Sequence, residues 1–211
     1  MITCPLCAQS GEFEAITGAN NSVFMQCDCC KLVFVDKLFL PDGQDEKERY
    51  ILHNNSLDDA GYVNFLYQAI APALNYISAG MSGLDYGCGP SPTLSILMER
   101  EKFSCQNYDP FFFPELPDGP FDFVFATECF EHFFSPGNEL HILTSLIKPG
   151  GLLIVMTNLW NSFQQFQNWQ YARDFTHVSF YHADTFEFIC RKYGLKLLEM
   201  KNNRVIILRR R

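Results

Sequence analysis

The sequence contains no run near the ~18 uninterrupted apolar residues of a membrane-spanning helix, so no transmembrane segment or membrane partner is expected. Its opening, MITCPLC, lacks the basic-then-apolar build of a secretory signal. Positive charge is scarce: 16 Lys and Arg stand against 24 Asp and Glu, a formal net charge of -8. That balance disfavours a broad phosphate-binding surface, and with it a nucleic-acid partner. The one basic run, Arg209-Arg210-Arg211, reads as a solvated tail. A lysine-containing P-loop is missing, which removes support for nucleoside triphosphate chemistry. Repeats and low-complexity blocks are missing too. These absences predict a soluble, cytoplasmic protein. Its nine cysteines should then be reduced and serve as ligands, core residues or nucleophiles rather than disulfides. Oligomeric state is left open.

What is present begins with those cysteines. The 211 residues, 47% apolar, suffice for one sizeable core and a small appendage. Cys4-Pro-Leu-Cys7 and Cys27-Asp-Cys-Cys30 give the spacing C-x2-C-x19-C-x2-C. Four thiolates in two such knuckles match a tetrahedral structural zinc site, and residues 1–40 are predicted to form a zinc ribbon. A closed four-thiolate site has no open position for substrate, so the metal would stabilise a fold too small for its own core. Cys29 is a bystander, and Cys88, Cys105, Cys129 and Cys190 read as small apolar fillers. PDGQDEKERY, at 41–50, is polar and charged and reads as a linker or exposed turn. From Ser56 a helix is predicted, because Val63, Leu66, Ile70, Leu74 and Ile77 recur at three- and four-residue steps before Gly80.

Beyond Gly80, strands and helices alternate. Apolar strands are predicted at 83–86, 104–109, 121–126 and 152–157, with helices at 92–101 and 136–147. Ser135-Pro136 suits an N-cap followed by proline at the first helical position. Asp184 with Glu187 resembles a capping box for a helix over 184–193 that stops near Gly194. LKLLEM and RVIILR flank Asn202-Asn203, a pair that predicts an antiparallel hairpin. The fold class is therefore α/β: a doubly wound, mainly parallel sheet over residues 80–211 with an antiparallel C-terminal hairpin.

Any ligand of such a sheet belongs beyond the carboxyl ends of its strands. There, LDYGCGPSP places Asp85 at a strand end, with Gly87 and Gly89 in the following turn. Twenty-four residues later the next strand ends in Asn107-Tyr108-Asp109, whose carboxylate can accept from two ribose hydroxyls. Pro92 stands where a dinucleotide loop needs its third glycine, which disfavours a dinucleotide.

LDYGCGPSP, NYDP at 107–110, FDFVFATECFEHFFSP at 121–136 and LIKPGGLLIVMT at 146–157 resemble, in order and spacing, the class I S-adenosylmethionine-dependent methyltransferases. The resemblance covers about residues 80–211 and implies a seven-stranded Rossmann-like sheet. It also implies that Asp85, Tyr86, Gly87 and Gly89 frame the methionine part of S-adenosylmethionine and that Asp109 holds the ribose. Pro110 and Phe111 would lie near the adenine, and Thr127 and Glu128 would line the site after the fourth strand. Residues 41–79 would supply a linker and a helix covering the cofactor. A site rich in carboxylates suits a cationic cofactor, and the main catalytic task is to align nucleophile, carbon and sulfur.

Glu128, Glu131 and His132 stand together in TECFEHF. In some O-methyltransferases of the superfamily, including small-RNA 2′-O-methyltransferases and ubiquinone-pathway enzymes, a similar group holds a divalent metal. Three readings stay open here: a divalent metal at Glu128, Glu131 and His132, with the distant His177 of RDFTHVSFY also available to it; acid/base or positioning work by His132 or His177; or a structural, cofactor-shaping role. The segment 160–181 sits where the family covers its acceptor. Trp160, Trp169, Tyr171, Asp174, His177 and Tyr181 supply aromatic walls and polar groups for a small molecule. His177 is the first candidate for general base, with Asp174 or Tyr171 as orienters; Tyr50 and His53 are weaker candidates. Similar ribbons precede methyltransferase domains in sugar C-methyltransferases and ribosomal-RNA base methyltransferases. The expected function is methyl transfer to a small or medium-sized acceptor. The competitors are an RNA or protein methyltransferase that reads its substrate with the ribbon, and a non-catalytic cofactor-binding scaffold.

Overall fold

Two knuckles of the same local design open the chain. The computed structural model describes residues 1–18, 22–52 and 55–211. In the first knuckle the Cys4 N–H donates to the Gln9 carbonyl, and the Cys4 carbonyl accepts from Ala8. In the second the Cys27 N–H donates to Leu32, and the Cys27 carbonyl accepts from Lys31. Ala8 and Lys31 occupy equivalent places and share a positive φ of 66° and 59°. Strands β1 (Ile2–Thr3) and β2 (Ser10–Gly11) pair around the first knuckle. Strands β3 (Glu14–Thr17), β4 (Val23–Gln26) and β5 (Val33–Phe34) form an antiparallel meander carrying the second between β4 and β5.

The stretch expected to be a linker folds instead as helix α1 (Gly43–Ile51). Its apolar pattern is too weak to be read as a helix, but Asp42 caps it by accepting from Gln44 and Asp45 N–H, both at 2.9 Å. Asp45 and Glu46 in the first turn suit the positive end of the helix dipole. Helix α2 (Ala60–Ala73) begins four residues after Ser56, at the cap Asp59.

The central sheet follows. Its elements are β6 (Ser82–Tyr86), α3 (Thr93–Arg100), β7 (Ser104–Tyr108), β8 (Phe121–Thr127), α4 (Pro136–Ser145) and β9 (Ile147–Met156). A cover segment holds α5 (Phe163–Phe166) and β10 (Ser179–Phe180) before α6 (Ala183–Lys192), β11 (Leu195–Lys201) and β12 (Val205–Arg210). The strand order is β11-β12-β9-β8-β6-β7, with β12 antiparallel to both neighbours. The hairpin turn has Asn202 and Asn203 at φ 54° and 53°, the paired left-handed geometry that matches strand twist.

The sheet has six strands, not the seven expected. Between β7 and β8 lie only residues 109–120, broken by Pro110, Pro114, Pro117 and Pro120. Proline cannot donate to a ladder, and the stretch is too short for a crossover helix plus another strand. It makes only the isolated bridge between Asp109 and Phe113. At α6 the cap also differs: His182 rather than Asp184 is the N-cap, paired with Thr185 in a capping box.

Period-two alternation sorts the strand side chains onto two faces. Phe121, Val124, Ala126, Leu153, Val155, Ile206 and Leu208 face one core with α4, α6 and the knuckle residues Cys4, Leu6, Leu32 and Phe34. Phe123, Phe125, Leu152, Ile154, Met156 and Ile207 face the other with α2 and α3. The N-terminal meander is not a free appendage. β10 adds to β5 as the fourth strand of its sheet, and Lys192 and Tyr193 donate to the Leu6 carbonyl.

Candidate active site

The carboxyl ends of β6, β7 and β8 open into a cavity of about 560 Å³, roofed by α1 and α2. The turn after β6 is pinned from β7: the N–H groups of Gly87 and Cys88 donate to the Tyr108 carbonyl at 2.8 and 3.1 Å. Gly87 has φ +80°, and a β-carbon there would lie 2.7 Å from Cβ of Cys129. Gly89, at φ +67°, donates its N–H to Asp109 Oδ2 at 3.0 Å. Both conformations cost a side-chain-bearing residue ~1–2 kcal/mol, so the two glycines are required by the backbone itself.

Asp109 is buried, and its other oxygen accepts from the N–H groups of Phe111 and Phe112 at 2.9 and 3.1 Å. A carboxylate has about four acceptor positions, so three bonds to backbone leave room for roughly one more. Asp85 is 2% exposed, and its Oδ1 has no partner among the described residues. Burial, reinforced by Asp109, pushes its carboxyl up to about 7. Tyr86, Pro110, Phe111, Thr127 and Glu128 also line the cavity. Glu128, the residue after β8, has φ 49°; its Oε1 is unpartnered among the described residues, and burial followed by Glu131 pushes its carboxyl up to about 9. Six carboxyl residues line the cavity (Glu46, Asp85, Asp109, Glu128, Glu131 and Glu139), and no Lys or Arg does among the described residues. Such a chamber suits a cation or a neutral molecule and opposes an anion.

Beside this acidic cleft, two imidazoles are held in one defined tautomer. His132 Nδ1 lies 3.0 Å from the Thr176 carbonyl and His177 Nδ1 lies 2.6 Å from the Tyr171 carbonyl. A carbonyl only accepts, so both Nδ1 atoms carry hydrogen, and Nε2 is the atom left to accept when the ring is neutral. The rings meet edge-on at 4.8 Å. Burial holds His132 down at about 4, against the pull of Glu131, so its ring is neutral near pH 7. Glu131 is 1% exposed; Thr157 donates to its Oε2 at 2.8 Å, and Oε1 is unpartnered. One ligand atom from each of Glu131, His132 and His177 lies within 4.8 Å of the others. The sequence grouping of Glu128, Glu131 and His132 is thus replaced: His177 joins the cluster, and Glu128 is outside it. The second cluster is Cys4, Cys7, Cys27 and Cys30, with Sγ pairs 3.5 Å apart for Cys4–Cys30 and Cys7–Cys27. Thiolates 2.3 Å from one tetrahedral zinc stand ~3.8 Å apart, so this donor set fits that ion.

The cover segment differs from expectation. Of its named residues only His177 lines the main cavity; Trp160 and Tyr181 are buried in the cores. Tyr171 packs behind His177 with ring centroids 4.3 Å apart, and orients it through its carbonyl, not its phenol. The Asp174 carboxylate is taken by Arg49 of α1 at 2.7 Å, so it clamps the roof rather than orienting a base. Tyr50 does reach the site, edge-on to His132 at 5.0 Å, while His53 lies outside the described residues. Sequence reasoning missed Glu46, Tyr62, Phe65 and Glu139. Tyr62 and Phe65 sit beside the apolar stripe of α2, a placement that a closer reading of the helix face contains.

The family model described as "Methyltransferase domain" matches residues 60–200. No curated protein matches by sequence. An O-methyltransferase family protein from Burkholderia thailandensis is 18% identical, with a TM-score of 0.53, over 78% of this chain and 61% of that one. This chain therefore spans about three fifths of that protein's length. The 1,6-didemethyltoxoflavin-N1-methyltransferase of the same organism, solved with 1,6-didemethyltoxoflavin and S-adenosylhomocysteine, is 12% identical (TM-score 0.56; 89% and 95% covered). The N-methyltransferase NodS from Bradyrhizobium japonicum WM9, with S-adenosylhomocysteine, is 12% identical (TM-score 0.52; 79% and 97% covered). At these identities the likeness is one of fold.

Proposed function

The chain belongs to the methyltransferase-domain family, a class I S-adenosylmethionine-dependent fold, and from that premise we propose that it methylates a small-molecule acceptor. The observation that carries the reading is the pair of buried carboxyls, Asp85 and Asp109, around the Gly87–Gly89 turn in a chamber with no Lys or Arg among the described residues. S-adenosylmethionine, when bound, supplies an electrophilic methyl group. The unpartnered Asp85 oxygen suits its ammonium, and the remaining acceptor position of Asp109 suits one ribose hydroxyl. Tyr86, Pro110 and Phe111 offer ring contacts, and Thr127 and Glu128 close the methionine end.

On the acceptor side, His132 and His177 present Nε2 lone pairs next to Glu131. A divalent metal held by these three would orient an acceptor oxygen. The Nδ1–H bonds to carbonyls are the outer contacts that ligating histidines use, and they favour this reading. In its absence His177 takes the acceptor proton. The four knuckle cysteines hold a structural zinc, in keeping with a cytoplasmic setting where thiols stay reduced. The relatives named above include both O- and N-methyltransferases, which supports a small acceptor without naming its atom.

Calorimetry with S-adenosylhomocysteine tests the premise: saturable binding is expected, and none at millimolar ligand overturns it. A panel of phenols, catechols and amines, assayed before and after metal stripping and manganese return, then separates the two acceptor chemistries. Cofactor binding with no transfer to any acceptor would favour the scaffold. A salt-sensitive RNA gel shift would favour the RNA enzyme.

A further inference from the structure

A second, shallow cavity lies on the far side of Tyr171, lined by Asn158, Asn168, Trp169, Gln170 and Arg204, with Gln165 at its rim. It carries a cation, which the main chamber lacks among the described residues. Arg204 is held at two points: its Nε donates to Asn158 Oδ1 at 2.8 Å, and its guanidinium lies 5.2 Å over the Phe65 ring. Its two terminal nitrogens have no partner among the described residues, and it forms no ion pair there. Arrested in this way, the fork keeps paired donors available at little further entropic cost. Glu128 feels its charge, but no hydrogen bond or ion pair joins the two among the described residues. Around the fork stand carboxamides that both donate and accept, and one indole face.

The two cavities are one side chain apart. Tyr171 lines the second and packs at a tilt against His177 of the first; Phe65 lines the first and carries Arg204 on its face. Resting on the methyltransferase reading above, we propose that Arg204 and its carboxamide neighbours form the distal subsite of the acceptor, binding a carboxylate or phosphate borne by it. The acceptor is then bipartite: a neutral, oxygen- or nitrogen-bearing end enters the acidic chamber by His177, and its oxyanion stays outside on Arg204.

The test needs no cofactor. The chain has two tryptophans, so Trp160→Phe leaves Trp169 as the sole indole reporter. Benzoate and phenyl phosphate are titrated against phenol at low salt. A saturable fluorescence change is expected with at least one anion, weakened by added KCl, and none with phenol; the responding anion identifies carboxylate or phosphate. Arg204→Gln should weaken that binding at least tenfold, and Arg204→Lys, which keeps the charge but loses the fork, several-fold. Equal response to phenol, insensitivity to salt, or unchanged affinity in Arg204→Gln overturns the proposal. Calorimetry of the same probes on the unsubstituted chain measures the same affinities should Trp160→Phe fold poorly. Loss of probe binding with S-adenosylhomocysteine binding intact overturns the subsite alone, and the reverse overturns the methyltransferase premise alone.

Discussion

Asp109→Asn separates a cofactor ligand from a loop brace, because the structure gives this carboxylate the second task and the proposed function the first. Its Oδ2 fixes Gly89, and its Oδ1 accepts from Phe111 and Phe112. An amide of the same shape has one oxygen. Kept on Phe111 and Phe112, that oxygen satisfies two donors, and the NH2 then faces the Gly89 N–H, donor against donor. One charge-assisted bond is lost, worth ~1.5–3 kcal/mol, in a turn that has to be ordered for cofactor to bind. If the loss falls wholly on the bound state, affinity for S-adenosylhomocysteine drops by about 10- to 150-fold. If it falls on the folded state, the apoprotein loses about 3–10 °C in Tm instead. Calorimetry and thermal unfolding of the same sample divide the two. Unchanged affinity together with unchanged Tm would refute the account of Asp109, since its three backbone bonds cannot all survive in the amide.

Three further outcomes are expected. Gly87→Ala combines left-handed strain with the 2.7 Å approach to Cys129, about 2–5 kcal/mol together, and should lower Tm by at least about 5 °C. Asp85 is raised from an ordinary value near 3.8 to about 7, so its stabilising neutral form is fully present below about pH 4 and lost as pH rises through 7. Unfolding of the apoprotein should therefore show stability falling over pH 4–8 by up to a few kcal/mol relative to Asp85→Asn; parallel profiles would contradict it. Metal analysis should return about one zinc per chain, and a strong chelator should raise the acceptor KM while leaving S-adenosylhomocysteine affinity within about threefold.

The parallel strands were legible because they are apolar runs with turn residues between them, and the cofactor turn because a sharp bend demands glycine at fixed places. Asp85 and Asp109 follow from the same logic, as they end consecutive strands. What stayed hidden depends on packing or on groups that leave no periodic trace. Helix α1 is specified by the Asp42 cap and by contacts such as Arg49 to Asp174, 125 residues away, and its composition alone reads as linker. The missing strand has its cause in four prolines among the twelve residues 109–120, which the family resemblance does not anticipate. The histidine pair was half legible. His132 adjoins Glu131 in sequence, whereas His177 joins only because the cover segment folds back and Val178 donates to the Glu131 carbonyl at 2.8 Å.

That last bond also bears on why the cysteine knuckles belong to this fold. The second knuckle ends at Cys30, and β5 begins three residues later. β5 pairs with β10, the Val35 N–H donates to the Val178 carbonyl, and the Val178 N–H donates to Glu131. His177 is thus held in a chain of backbone bonds running from the knuckle on one side to Glu131 on the other. The turn after β6, by contrast, is pinned by bonds from Gly87, Cys88 and Gly89 to Tyr108 and Asp109, with Asp109 held in turn by Phe111 and Phe112. No described residue of the four-cysteine module lines the chamber, yet through β5 and Val178 the module braces the segment that brings His177 beside Glu131, while the turn after β6 is braced from β7. Two sides of one cavity therefore rest on separate supports, and the module acts on the chamber through the cover segment rather than as a detached appendage.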